Sequence, residues 1–255
     1  MAKAPRSGAK IGVLVPFTNT NLEPDLQLMC PSGATLHAAR LGGYDVDEIP
    51  GSDQMAGLGA SDLSEPLRLM SGVRPSVVLY GCTSATLTHG PAFDRDLAAD
   101  IHAASGAHTL TAAGVLVNAI QTIGATKVGF ASPYLGEIND QAMAFLGEAG
   151  IETLRCADIG RALGNYGQGE LSPDEVFDLA CRADHAEAEA IVLSCTDMRA
   201  VEAITRIEAR LGKPVISSNQ AMMFGLCRLL GLAREPQMPG ALFAQLAPTM
   251  ENAPQ

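Results

Sequence analysis

No Gly-x-Gly-x-x-Gly follows the first apolar run of this 255-residue chain, and no Walker-type glycine loop with lysine occurs anywhere, so no nucleotide cofactor is expected. A run of basic residues is also missing. The 17 Lys and Arg are scattered among 28 Asp and Glu, for a formal charge of −11, which makes nucleic acid and anionic membrane surfaces poor partners. No apolar stretch reaches the ~20 residues needed to span a bilayer. The Met1–Lys10 tail is polar and lacks the apolar centre of a signal peptide, so the expected location is the cytoplasm. None of the six cysteines pairs in a Cys-x-x-Cys, which fits neither a disulfide framework nor a structural zinc site. The five histidines show no metal-ligand spacing, no carboxylate cluster accompanies them, and the serine-hydrolase elbow is missing. The expected metal and cofactor complement is therefore none.

What is there is centred on Val77-Val78-Leu79-Tyr80-Gly81-Cys82-Thr83-Ser84, an apolar run that reads as a buried parallel strand and then turns polar. The turn predicts Cys82 at the start of a helix, where exposed amide groups favour an anion. A free thiol with a pKa of about 8.5 is expected to move toward neutrality there. Taken alone, a cysteine is more readily one more buried apolar residue. The difference is a second copy: Ile191-Val192-Leu193-Ser194-Cys195-Thr196 repeats the apolar run and the Cys-Thr.

Two further matches lie in the same order. Ile11-Gly12 through Pro16-Phe17 resembles Val128-Gly129 through Pro133-Tyr134, and the strand at 108–111 resembles that at 214–218. Ordered matches separated by nearly half the chain indicate an internal duplication. Between them the pattern alternates strands with helices. Helices are predicted near 22, at 60–72, 92–104, 113–123, 138–148, 172–186, 198–211 and 220–231, and strands at 11–15, 34–39, 127–132 and 151–155. Such alternation means parallel sheets covered on both faces, with ligands beyond the strands' carboxyl ends. Asn19 in the first loop, Tyr134, Asn165 and both cysteines fall at such places. The glycine-rich stretches 40–59 and 160–169 read as loops, the first of them either an ordinary surface loop or a flap over the site. His89 is two helical turns from Cys82 and reads as structural; Cys181 and Cys227 read as core positions on helices.

Two thiols facing one pocket fit two kinds of chemistry. A thiolate can take a proton from carbon while the opposite thiol returns one to the other face, inverting a stereocentre. Alternatively, a thiolate adds to an activated double bond, the second thiol protonates the neighbouring carbon, and rotation followed by elimination gives the other geometric isomer. Both need an enolate-like charge to be stabilised by amides and side-chain donors.

The residues Val15-Pro16-Phe17-Thr18-Asn19-Thr20, the His37-x-x-Arg40 pair, Tyr80-Gly81-Cys82, Ser132-Pro133-Tyr134 and Ser194-Cys195 give the chain a family likeness. It resembles the aspartate/glutamate racemase superfamily, in particular the branch of maleate cis-trans isomerase and arylmalonate decarboxylase. The resemblance implies an α/β fold of two pseudo-symmetric doubly wound halves, each with a four-stranded parallel sheet, and a site in the cleft between them. Residues 1–111, completed by 219–255, would form one half and residues 112–218 the other. It further implies Cys82 as nucleophile and Cys195 as proton donor. Asn19, Tyr134 and Asn165, with the amides of Thr83, Ser84 and Thr196, would hold a small carboxylate substrate. Arylmalonate decarboxylases keep one of the two cysteines, so the pair argues against simple decarboxylation. The polar residues Thr83-Ser84 and Thr196-Asp197 leave open a racemase or epimerase of an amino-acid derivative, with ectoine breakdown as one context. Assembly into a homo-oligomer is also left open.

Overall fold

A computed structural model describes residues 8–45, 48 and 50–246. The start of the polar tail, residues 46, 47 and 49 of the expected loop or flap, and the end of the 219–255 segment lie outside the described residues.

The chain forms two sheets of four parallel strands. The first contains β1 (Ala9–Pro16), β2 (Ala34–Leu41), β3 (Val77–Tyr80) and β4 (His108–Thr111) in the order β2-β1-β3-β4. The second contains β5 (Lys127–Ala131), β6 (Glu152–Ala157), β7 (Ala190–Leu193) and β8 (Val215–Ser217) in the order β6-β5-β7-β8. The two orders are the same, strand for strand, as a duplication requires. The central strands β3 and β7 are buried along their whole length, which is why they read as unbroken apolar runs.

The helices of the first half are α1 (Leu22–Met29), α2 (Ser52–Gly59), α3 (Ser64–Ser71), α4 (Thr83–Leu87) and α5 (Gly90–Ser105). Then follow α6 (Ala112–Thr122), α7 (Glu137–Glu148), α8 (Gly167–Glu170), α9 (Pro173–Ala183), α10 (Ile204–Leu211) and α11 (Ser218–Leu230). Helices α6 and α11 pack on each other and on strands of both sheets. Val115, Leu116, Ile120, Met222, Met223 and Leu226 from these two helices join Ile11, Val77, Val128 and Val192 in one continuous core. Burying each such side chain fully contributes roughly 1.5–3 kcal/mol, so this shared core fixes how the halves sit together. Smaller cores lie on the outer face of each sheet.

Three of the sequence expectations for helices need correction. The stretch 55–59 is helical, because Met55 and Leu58 bury while Gly59 lies so near α4 that a Cβ there would meet the Ala85 carbonyl at 2.6 Å. The helix expected at 60–72 begins only at Ser64, whose amide donates to the Asp62 side chain at 2.8 Å. The helix expected at 198–211 is confined to α10, because residues 198–203 form turns.

Candidate active site

The two strand ends are built alike. Gly81 donates its amide to Leu14 at 2.9 Å and Ser194 donates to Ala131 at 2.8 Å, so each cysteine leaves the sheet one residue beyond its last ladder bond. Position 81 admits only glycine, because a Cβ there would lie 2.3 Å from Leu22 Cδ2 and 2.7 Å from the Leu14 carbonyl. Beyond the strands the two turns come together. The Thr196 hydroxyl donates to the Gly81 carbonyl at 2.9 Å and accepts from Asn19 Nδ2 at 3.0 Å. Asn219, at the start of α11, donates to both the Thr196 carbonyl (2.9 Å) and Asp25 of α1 (2.8 Å).

Between the turns lies a cavity of about 30 Å³ whose wall includes Asn19, Cys82, Tyr134, Asn165, Cys195 and Thr196. That volume holds one or two waters. Both cysteines are nearly buried, at 5% and 4% exposure. The Tyr134 hydroxyl stands between them, 3.6 Å from the Cys195 sulfur and 3.4 Å from Ser84 Oγ, which is itself 3.7 Å from the Cys82 sulfur. Asn19 Oδ1 accepts from the amides of Asn21 and Leu22, which orients the side chain against the start of α1. Arg40 braces this loop by donating to the Asn19 carbonyl at 2.6 Å and pairing with Glu23. His37 instead bonds Thr35 on the same strand.

Of the residues expected to hold substrate, Thr83 is not brought to the cavity wall; its hydroxyl donates to Ser218 at 2.8 Å. Ser84 contacts the Cys82 sulfur and the Tyr134 hydroxyl without lining the cavity. His89 stacks on Phe93 and reaches the Ala56 carbonyl, away from the cavity, as expected. Cys227 is fully buried on α11, whereas Cys181 on α9 is half-buried rather than a core position. The sequence reading missed Tyr44 and Gln168 in the wall and took Asp197 only as a polar residue beside the second cysteine, with no site role. Asp197 directly follows the second Cys-Thr, and that position was its available signal.

The expectation that the helix start lowers the Cys82 pKa is also corrected. Burial raises it, outweighing the hydrogen bonds from Ala85 and Ser84 that favour the thiolate. Cys195 is pushed up to about 12, first by burial and then by the neighbouring Asp197 carboxylate. Burial in turn raises Asp197 to about 6, against the pull of its bonds from Thr20 and Asn21. Among the described residues no lysine, arginine or histidine lines the cavity. Among the described residues no three His, Cys, Asp or Glu side chains gather as a metal ligand set, and no helix is long and apolar enough to cross a membrane.

The family model for arylmalonate decarboxylase matches residues 11–243. The chain belongs to the arylmalonate decarboxylase family. Within this family it is 26% identical over 251 residues to the maleate isomerase of Geobacillus stearothermophilus, covering 92% of this chain and 97% of that protein. It is 29% identical over 220 residues to the arylmalonate decarboxylase of Bordetella bronchiseptica, covering 86% of each. Its fold matches the solved structure of a Cys-to-Ser variant of the Nocardia farcinica maleate cis-trans isomerase with a covalently bound succinylcysteine intermediate. There the TM-score is 0.84 at 22% identity, over 94% of this chain and 99% of that one. The chain is an isomerase-like enzyme of this family.

Proposed function

We propose that this protein is a cofactor-independent isomerase of a small dicarboxylic acid, converting maleate to fumarate with Cys82 as nucleophile and Cys195 as proton donor. The observation that carries this reading is that two thiols from the duplicated strand ends line one small cavity together with Asn19, Tyr134 and Asn165. The succinylcysteine of the Nocardia farcinica enzyme supports a covalent route through one cysteine.

In this mechanism Cys82 first gives its proton to water, and the resulting thiolate forms a C–S bond to one alkene carbon while the π pair moves toward the carboxylate on the adjoining carbon. The Cys195 proton then passes to that carbon. Rotation about the new single bond follows. Cys195 takes a proton back, the double bond re-forms and the C–S bond breaks, returning the thiolate to Cys82. Apart from Asp197, the side chains in the wall are uncharged at neutral pH, so the passing negative charge is met by fixed dipoles rather than by a cation.

One observation favours a second reading, racemisation or epimerisation of an amino-acid derivative. Among the described residues the one charged group in the wall is the Asp197 carboxylate, which suits an ammonium or amide N–H on the substrate better than a second carboxylate.

Incubation in deuterated water with maleate and with a panel of chiral amino-acid derivatives, followed by NMR, separates the two. Fumarate from maleate is the expected result. Deuterium at an inverted carbon, without fumarate, replaces the first reading by the second, and no turnover of any substrate overturns both.

A further inference from the structure

The carboxylate of Asp197 is 7% exposed and lies between the halves. Its Oδ1 accepts from the Thr20 amide at 2.8 Å and from the Asn21 amide and Asn21 Nδ2, each at 3.1 Å. All three donors belong to the loop of the first half that carries Asn19. Asn21 Nδ2 also donates to the Asp197 carbonyl at 3.0 Å and to Gly169 at 3.1 Å. Gly169 is packed so closely that a Cβ there would meet Thr20 Oγ1, Asn21 Nδ2 and Asp197 Oδ2 at 2.9–3.0 Å. On its other side, the Asp197 amide donates to the Cys195 sulfur at 3.4 Å.

We propose that Asp197 is the positioning residue that makes the two thiols unequal: it latches the Asn19 loop over Cys195 and stands beside that sulfur as a fixed negative charge, so that Cys195 keeps its proton while Cys82 attacks. This deepens the two-cysteine reading above and rests on it for the meaning of the two roles. The physical argument is one of sign. A buried carboxylate without a cationic partner disfavours a second anion nearby. Among the described residues the titratable groups that face Asp197 are Asp25 on α1, Tyr44 after β2, Cys82 at the end of β3 and Cys195 on its own loop, and none is basic. Arg199, two residues on, is engaged by Glu202 at 2.8 Å. The Cys82 sulfur accepts from two amides, those of Ser84 and Ala85, against the single Asp197 amide at Cys195. The Asp197 charge raises both thiols, but at Cys195 it is second only to burial, whereas at Cys82 it comes behind burial and the hydrogen bonds. The burial-driven rise of Cys195, enlarged by Asp197, agrees with this assignment.

The test is alkylation by iodoacetamide across a pH series, with the Cys82 and Cys195 peptides quantified separately by mass spectrometry. In the unmodified protein Cys195 should titrate above Cys82; the reverse order overturns the proposal. Asp197→Asn should lower the Cys195 midpoint by about one pH unit, about tenfold more thiolate at a given pH. Asp197→Glu should restore the midpoint, and Asn21→Ala, which loosens the latch but keeps the charge, should leave it high while raising KM. An unchanged midpoint in Asp197→Asn reduces the residue to a structural bridge and overturns the proposal. Should that variant not fold, the wild-type order and the Asn21→Ala midpoint still decide. Alkylation needs no turnover, so a shifted midpoint without any maleate conversion would refute the maleate reading and leave the role of Asp197 standing.

Discussion

At the end of β3 the chain reads Gly81-Cys82-Thr83-Ser84, and at the end of β7 it reads Ser194-Cys195-Thr196-Asp197. The strands, the register and the exit of each cysteine from the sheet match, but the next residues do not behave alike. After Cys82 a helix starts at once, and two of its amides bond the sulfur. After Cys195 the chain turns for several residues before α10 and brings up a carboxylate. The threonines diverge too: Thr196 turns across the cleft to Gly81 and Asn19, whereas Thr83 turns back to Ser218. Duplication thus supplies two facing thiols, and the residues just after them give each a different electrostatic surrounding.

The sharpest way to break the comparison is to remove each sulfur in turn. Cys82→Ser and Cys195→Ser should each lower turnover of maleate by about 10³-fold or more, since each removes a group that acts on the reacting carbons. Only Cys195→Ser should accumulate a covalent adduct, carried on Cys82 and read by intact-mass spectrometry after incubation with maleate. An adduct in Cys82→Ser instead would exchange the two roles.

The second difference lies in what stands behind each turn. The Cys195 turn is tied through Asn219 to Asp25, whose carboxyl is raised from 3.8 to about 7, mainly by burial and against the pull of the Asn219 bond. Between those values the native state binds more protons than the unfolded chain, so this group's contribution to stability falls as pH rises through the window. Asp25→Asn removes the titration and keeps an oxygen for Asn219. It should raise unfolding free energy at pH 8 by up to about 4 kcal/mol, and by much less at pH 5. Urea unfolding at the two pH values checks this; an equal change at both would mean that Asp25 does not hold its proton in the folded chain.

The sheets were legible because a strand buried on both faces leaves a local trace: Val77–Tyr80 and Ala190–Leu193 are continuous apolar runs and could be nothing polar. Cys82 and Cys195 were legible because the duplication repeats their context. Asp197 was legible only as a polar residue beside Cys195; its bonds were not, since its partners Thr20 and Asn21 are 177 and 176 residues away and nothing nearby in sequence announces them. Helix α2 was hidden for a related reason. Its glycines suggest a loop, and only its packing against α4 shows why Gly59 sits in a helix. The direction of the Cys82 shift failed on the same ground, because amide donors at a helix start are a local feature and depth of burial is a tertiary one.

The smallest effects belong to the two threonines, and they separate the turns most cleanly because the side chains are identical and both are buried. Thr196→Val keeps the shape but loses the donor to Gly81 and the acceptor for Asn19, leaving one cavity-lining amide unanchored. A net loss of about 1.4 kcal/mol, within the usual range for such bonds, corresponds to about a tenfold fall in kcat/KM for maleate. Thr83→Val loses only the bond to Ser218, behind the site. It should cost about 1 kcal/mol in urea unfolding and leave kcat/KM within about twofold. If both variants lost activity equally, the threonines would be symmetric parts of one site, and the unequal surroundings of the two sulfurs would have to come from Asp197 and the α4 amides alone.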